Sequence, residues 1–442
     1  MRLLFNLILL LSLGFLQVFA VDLPEKPDVS DFYYPDPDDH TWHTEKPGYI
    51  IKAREVSMAS LLLGVKSKAK AYQLLYVTQD VYEKPAYAVT TIVVPVRPNF
   101  KRILSLQIAY DSPDNNCSPS YGLQHGVVGA AATWSRTQLY TVLPWLQQGP
   151  VMNIPDYEGM NAAFTVGPQS AYHTLDSIRA ALDSYNTTGI KPNARTVMFG
   201  YSGGAFASEW AAEYHQEYAS ELNIVGAVLG GPPPNISSTY EHTNGGPNSE
   251  LNVWAILGVM NSYENISDFI HKDLKSTHKA AFLDPQKRCS RCEPRETVPG
   301  PPISNADISD FFTNRNHFLY KFKDTLDYIG VMGRRSYPKF PLYIYQGTND
   351  DITAPVSHTD DLVEDFCKNG VKVTYHRYLG LDHFETSSAG IQRAWLWTMN
   401  AFNWSPIFPL RCSTNNITQE DDNDLDEVSG DDGWGELHDD LR

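Results

Sequence analysis

A serine set among glycines is where this chain could do chemistry. Gly200-Tyr201-Ser202-Gly203-Gly204 reads G-x-S-x-G. The apolar run Thr196-Val197-Met198-Phe199 precedes it, and a helix-forming run, residues 205–218, follows. That context predicts a buried strand, a sharp turn with Ser202 at its apex, and a helix. Neighbouring side chains would crowd such a turn, so Gly200 and Gly204 flank it. The helix start behind the serine offers unpaired N–H groups and the positive end of a dipole. An intermediate that carries an oxyanion needs both.

A serine hydroxyl at neutral pH is a weak nucleophile. It requires a base, and the base requires an orienting acid. On a strand–turn–helix of this kind the order along the chain is nucleophile, acid, base, the last two on loops after late strands. Residues 340–345 read as such a strand and lead into Gln346-Gly347-Thr348-Asn349-Asp350-Asp351. Asp350, three residues past Gly347, is the acid in this reading, with Asp351 the alternative. Residues 371–378 read as the next strand, followed by Leu379-Gly380-Leu381-Asp382-His383. Of the 13 histidines, only His383 falls just beyond the strand that follows the acid. His376 lies inside that strand and His358 at a helix start. The oxyanion needs two donors. One is the N–H of Gly203. The other belongs to the loop after an early strand, Tyr110-Asp111-Ser112. No His-Gly-Gly-Gly motif is present, so Asp111 is the candidate, through its N–H and, if protonated, its carboxyl.

These residues need a scaffold, and the alternation of patterns supplies one. Residues 71–77 and 87–94 are β-branched and aromatic, with Glu83-Lys84-Pro85 as a turn, and predict an antiparallel pair at a sheet edge. Buried strands are expected at 103–109, 151–156, 196–199 and 224–229. A helix is expected at 170–185, where Ala171, Leu175, Ile178 and Leu182 recur at helical spacing. Strands alternating with helices imply a mostly parallel sheet covered on both faces. The alternation stops near Pro234. From 235 to 332 the chain reads as helical or irregular, with amphipathic stretches at 268–283 and 307–328: a cap inserted into the sheet domain. Within it, Trp254, Ile256, Leu257 and Val259 of the apolar stretch 251–260 are expected to line a tunnel to the site. Alternation then resumes, with helices expected at 359–368 and 391–402.

The 442 residues are too many for one compact core, which agrees with a main domain plus an insertion. Residues 1–20 form a secretory signal peptide: Arg2, an apolar run, and the small-x-small site Val18-Phe19-Ala20. No second apolar stretch is long enough to span a bilayer. Residues 21–48, rich in Pro and Asp, read as an arm on the surface. The core is expected at 49–234 and 333–412, and residues 413–442 as an acidic disordered tail. Eleven acids and one base in 420–442 carry −10 of the formal −17, leaving −7 for the rest. No basic cluster suggests nucleic acid, and no cofactor motif appears. Cys289-Ser-Arg-Cys292 is half a zinc motif without its other half, so it is read as structural and no metal is expected. In an oxidising compartment the five cysteines suggest disulfides. Cys367–Cys412 is one expected pair; Cys117 with Cys292 or Cys289 is the second. Sequons at Asn186, Asn235, Asn265, Asn403 and Asn416, with a poorer one at Asn116, fit an exported glycoprotein.

Taken together, the chain resembles the fungal secretory lipases of the lipase A type, over about residues 45–412. The likeness rests on Thr90-Thr91-Ile92-Val93-Val94-Pro95, Ala109-Tyr110-Asp111-Ser112, Pro155-Asp156-Tyr157-Glu158-Gly159, Gly200-Tyr201-Ser202-Gly203-Gly204, Gly230-Gly231-Pro232, Gly347-Thr348-Asn349-Asp350 and Asp382-His383. The resemblance implies an α/β-hydrolase core, a helical cap or lid over the site, and hydrolysis of triacylglycerol or other carboxylic esters. It implies Ser202, Asp350 and His383 as a triad, Asp111 with Gly203 as the oxyanion hole, and the two disulfides named above. One departure concerns the acid: the family's proline, four residues on, would here follow Asp351 as Pro355. The expected substrate is a lipid or ester met at a lipid–water interface. The rival functions are an esterase of soluble short-chain esters, a secreted serine peptidase, and an inactive binding protein.

Overall fold

Ten strands form a single sheet in the order β1-β2-β3-β5-β4-β6-β7-β8-β9-β10. The structure, a computed structural model, describes residues 23–59, 68–142, 149–289, 299–403 and 411–418. The expected signal peptide, Cys292, and the acidic stretch beyond 418 lie outside the described residues. At one edge, β1 (Ile50–Val56), β2 (Lys70–Gln79) and β3 (Pro85–Val94) run antiparallel, and β3 pairs antiparallel with β5 (Pro150–Pro155). The expected edge pair is therefore present, with one more strand outside it. Beyond β5, neighbouring strands are parallel: β4 (Asn99–Gln107), β6 (Arg195–Tyr201), β7 (Ile224–Gly230), β8 (Leu342–Gly347) and β9 (Val373–Tyr378).

Alternation of side chains across each strand builds two cores. Ile103, Met198, Leu342 and Ile344 face one side, under helices α2 (Gly167–Asp183), α3 (Gly203–Tyr218) and α8 (Val356–Lys368). Leu104, Val197, Phe199, Tyr343 and Tyr345 face the other, under α1 (Ala130–Thr141) and α9 (His383–Asn403). Each fully buried Leu, Ile or Phe contributes about 1.5–3 kcal/mol. A sheet packed on both faces is thus a stiff platform for the loops at its carboxyl ends.

One expected boundary moves, and one expected surface segment is partly buried. Residues 413–417, read as the start of the tail, form an edge strand, β10 (Ser413–Ile417), parallel to β9. Its sequence, Ser-Thr-Asn-Asn-Ile, is too polar to signal a strand, but backbone pairing with β9 needs no apolar side chains. The arm is also more than a surface segment. Tyr33 is fully buried against Leu75 and Val89, and its hydroxyl meets Ser120 Oγ at 2.9 Å.

Between β7 and β8 the chain leaves the sheet. Met332 N–H donates to Pro234 O at 3.0 Å and Asn235 bridges Val331, so the insertion begins and ends side by side. Its helices include α4 (Ile236–Thr243), α5 (Glu250–Met260), α6 (Glu264–Asp273) and α7 (Lys323–Gly330). Trp254, Leu257, Phe282, Phe311, Phe312 and Phe318 pack into a third core, separate from the two sheet cores. Cys367–Cys412 ties α8 to the base of β10, and Cys117–Cys289 ties the cap to the segment after β4. The second expected pairing thus takes Cys289 rather than Cys292.

Candidate active site

Ser202 stands between the end of β6 and the first turn of α3, with φ 56° and ψ −123°. A non-glycine residue there costs of order 1–3 kcal/mol and persists only where its surroundings enforce it. They do so through close backbone packing. A Cβ on Gly200 would lie 2.0 Å from Gly204 O, and one on Gly204 would lie 1.9 Å from Gln107 O. These two glycines let β4, the turn and α3 touch. Ser202 N–H donates to Gly230 O at 2.8 Å, which fastens the apex to β7.

The acid loop follows β8. Asp350 is 5% exposed and uses both carboxylate oxygens. Oδ1 accepts the N–H groups of Ile352 at 3.0 Å and Thr353 at 2.9 Å. Oδ2 accepts Gln346 Nε2 at 3.0 Å and faces His383 Nδ1 at 2.8 Å. Burial by itself drives this carboxyl upward. The charge of His383 and the hydrogen bonds from His383, Thr353 and Ile352 outweigh that, and it sits below the usual carboxylate range. Asp351 is exposed and stands off the imidazole ring. Its Oδ1 lies 3.5 Å from His383 N–H and its Oδ2 lies 3.4 Å from Asn248 Nδ2. The register set by Gly347, not the one set by Pro355, brings an aspartate to the histidine.

His383 is the first residue of α9 and is buried. The residue before the serine also holds it. Tyr201 Oη donates to His383 O at 2.5 Å, and the two rings lie 4.9 Å apart. On the other side, a Cβ on Gly231 would sit 2.9 Å from His383 Cε1. With Nδ1 engaged by Asp350, Nε2 is the ring nitrogen left for proton transfer.

Asp111 follows β4 in a left-handed conformation, φ 44°. Its carboxyl lies over the start of α3: a Cβ on Gly203 would be 2.0 Å from Asp111 Oδ1. Its N–H is directed instead, with that of Ser112, to the buried carboxyl of Glu158. The expectation that both N–H and carboxyl point inward is therefore halved; the side chain is the part that faces Gly203. Burial first, then the Asp111 carboxyl, pushes Glu158 well above the usual range. Glu158 N–H donates to Tyr110 Oη at 2.7 Å, so residue 158 grips the loop on both sides of Asp111. Neither Tyr201 nor Glu158 stands out by pattern; each lay inside a motif without a task of its own.

Above Ser202, Gly203 and Asp111 lies a partly open cavity between the sheet and the cap. Phe164, Phe206, Ile236, Tyr240, Leu251 and Ile352 supply apolar wall. Two polar side chains of the cap wall are satisfied internally. Asn252 Oδ1 accepts Thr243 Oγ1 at 2.8 Å and its Nδ2 donates to Tyr240 O at 3.0 Å, while Thr239 Oγ1 donates to Thr353 O. The face of α5 that lines the cavity is Leu251, Asn252 and Ala255. Trp254, Ile256, Leu257 and Val259, expected in the tunnel, point into the cap core. The stretch 251–260 is apolar almost all round, so periodicity could not choose its inner face. Among the described residues, no group of three or more His, Cys, Asp or Glu side chains is placed to hold a metal ion, and no helix is long and apolar enough to cross a membrane.

The family model described as secretory lipase matches residues 127–408. The chain belongs to the secretory lipase family. Lipase A of Arthroderma benhamiae is 33% identical to this lipase, over 91% of this chain and 85% of that one. A trichothecene C-3 esterase of Fusarium sporotrichioides is 32% identical, over 83% and 84%. Among solved structures, Candida antarctica lipase A superposes with a TM-score of 0.80 at 24% identity, covering 92% of this lipase and 94% of that chain. The sheet and cap of the lipase thus follow the α/β-hydrolase fold, and it is a carboxylic-ester hydrolase.

Proposed function

We propose that this lipase hydrolyses triacylglycerol esters outside the cell through a serine acyl-enzyme carried by Ser202, His383 and Asp350. The observation that carries the reading is the buried Asp350–His383 pair, held by Tyr201 next to a strained serine, under a largely apolar cavity. Ser202 Oγ attacks the ester carbonyl carbon as His383 Nε2 takes its proton. Asp350 holds the imidazole tautomer and stabilises the imidazolium. The tetrahedral oxyanion takes a hydrogen bond from Gly203 N–H and, when the Asp111 carboxyl carries a proton, a second from it. His383 then protonates the departing alcohol. Water, deprotonated by the same imidazole, attacks the acyl-enzyme and releases the fatty acid and Ser202. The acyl chain lies in the cavity between sheet and cap. The leader expected at residues 1–20 and membership of the secretory lipase family support an extracellular site of action.

The test is labelling by a fluorophosphonate, with activity on emulsified triacylglycerols. Wild type labels at Ser202 and turns over; Ser202→Ala does neither, losing about 10⁶-fold in kcat. Turnover by Ser202→Ala within about tenfold of wild type would end the reading. A second reading, an esterase of smaller esters, draws support from the 32% identical esterase relative. Turnover of a short-chain ester below and above its solubility limit separates them. A steep gain only above the limit favours the lipase.

A further inference from the structure

The acid loop is held from two directions, and only one of them belongs to the sheet domain. Within the loop, the Asp350 carboxylate is received by N–H groups of Ile352 and Thr353. The loop's carbonyls are received from the cap. His242 Nε2 lies 3.1 Å from Asp350 O, and Thr239 Oγ1 donates to Thr353 O. Both donors come from one short helix, α4, three residues apart and so on one face. A carbonyl only accepts, so His242 Nε2 must carry hydrogen. The imidazolium and one neutral tautomer both satisfy this. A little further along, Asn248 Nδ2 reaches Asp351 Oδ2 at 3.4 Å. Ile236, Thr239 and Tyr240 of α4, with Ile352 and Thr353 of the loop, also line the cavity. The cap's first helix and the acid loop therefore share a seam, and the seam is where the acyl chain lies.

We propose that α4 is a brace for the acid: His242 and Thr239 are positioning residues that fix the peptide of Asp350 and so aim its carboxylate at His383. The cap on this flank is part of the catalytic geometry and not a detachable cover. The idea rests on Asp350 being the triad acid. A displaced acid leaves substrate binding intact and weakens proton transfer, so the brace acts on kcat and spares KM.

The experiment uses the mature chain and a soluble p-nitrophenyl ester, with thermal melting as a folding control. His242→Ala is expected to lower kcat about tenfold with KM changed by less than about twofold, and to slow fluorophosphonate labelling by the same factor. His242→Gln, whose side-chain amide can reach the same carbonyl, is expected to recover kcat to within about threefold of wild type. Thr239→Val and Thr239→Ser repeat the contrast at the second contact and decide the matter if His242→Ala melts early. Loss confined to KM would reduce α4 to a wall of the cavity and overturn the brace. So would full kcat in both His242→Ala and Thr239→Val while Asp350→Asn is inactive. Retained activity in Asp350→Asn would instead remove the acid assignment on which the brace depends.

Discussion

On the sheet side of the cavity the backbone itself is pinched. Ser202 and Asp111 hold left-handed φ of 56° and 44°, and Gly200 and Gly204 leave no room for a methyl group. On the cap side, Ile236, Tyr240, Leu251 and Ala255 line the same cavity from ordinary helices. The sheet side places reacting atoms through main-chain contacts that no rotamer change can relax. Apart from the brace from α4, the cap side sets how much room remains, and side-chain volume can tune that. The comparison separates chemistry from selectivity: lesions below the cavity or in the α4 brace should fall on kcat, and the other lesions above it on acyl preference or on folding.

The sharpest break lies within the acid loop, between neighbours of equal charge. Asp350→Asn keeps the volume but loses the charge that orients His383, and is expected to lower kcat by about 10⁴-fold. Asp351→Asn touches only long contacts to His383 N–H and Asn248, and kcat is expected to stay within about threefold. Steady-state kinetics on one ester decide between them. An inversion of the two would return the acid to the register set by Pro355.

A smaller effect is expected at Tyr201. Tyr201→Phe keeps the ring beside the imidazole and removes one buried hydrogen bond to His383 O. Such a bond is worth about 1 kcal/mol, so kcat is expected to fall about fivefold to tenfold with KM unchanged. A loss that appeared in KM instead would mean that Tyr201 meets substrate, and the division between the two sides would blur.

What the sequence revealed follows the same line. The positions of Ser202, Asp350 and His383 were legible because each lies just beyond a strand in the strand–helix alternation. Asp111 was legible as a position but not as a conformation. Its N–H turns to Glu158, 47 residues on, and no local pattern records that. Tyr201 reaches across 182 residues and His242 across 108, so their partners could not be read from spacing. The start of α9 was also missed, by eight residues. Its apolar periodicity begins near Ile391, whereas the helix begins at His383, where Asp382 Oδ1 accepts Glu385 N–H and Glu385 Oε2 accepts Asp382 N–H. The cap was legible only as an interruption.

The two faces of α5 supply the finest test, because one helix there serves both roles. Ala255 lines the cavity, and Leu257, two residues on, is fully buried in the cap core. Ala255→Val adds volume at the cavity wall, on the edge of that core rather than inside it. Each acyl methylene denied a place costs about 0.8 kcal/mol, so turnover of decanoyl relative to butanoyl esters should fall about fourfold per methylene excluded. Leu257→Ala opens a void in the cap core and is expected to cost about 2–5 kcal/mol of stability, read as a lower melting temperature. Because Leu257 faces away from the cavity, the decanoyl-to-butanoyl ratio of the folded fraction should not move. If Leu257→Ala shifted the ratio as much as Ala255→Val does, the cap core would be yielding to the acyl chain as a whole. Selectivity would then reside in the softness of the cap, not in the volume of the few side chains that line it.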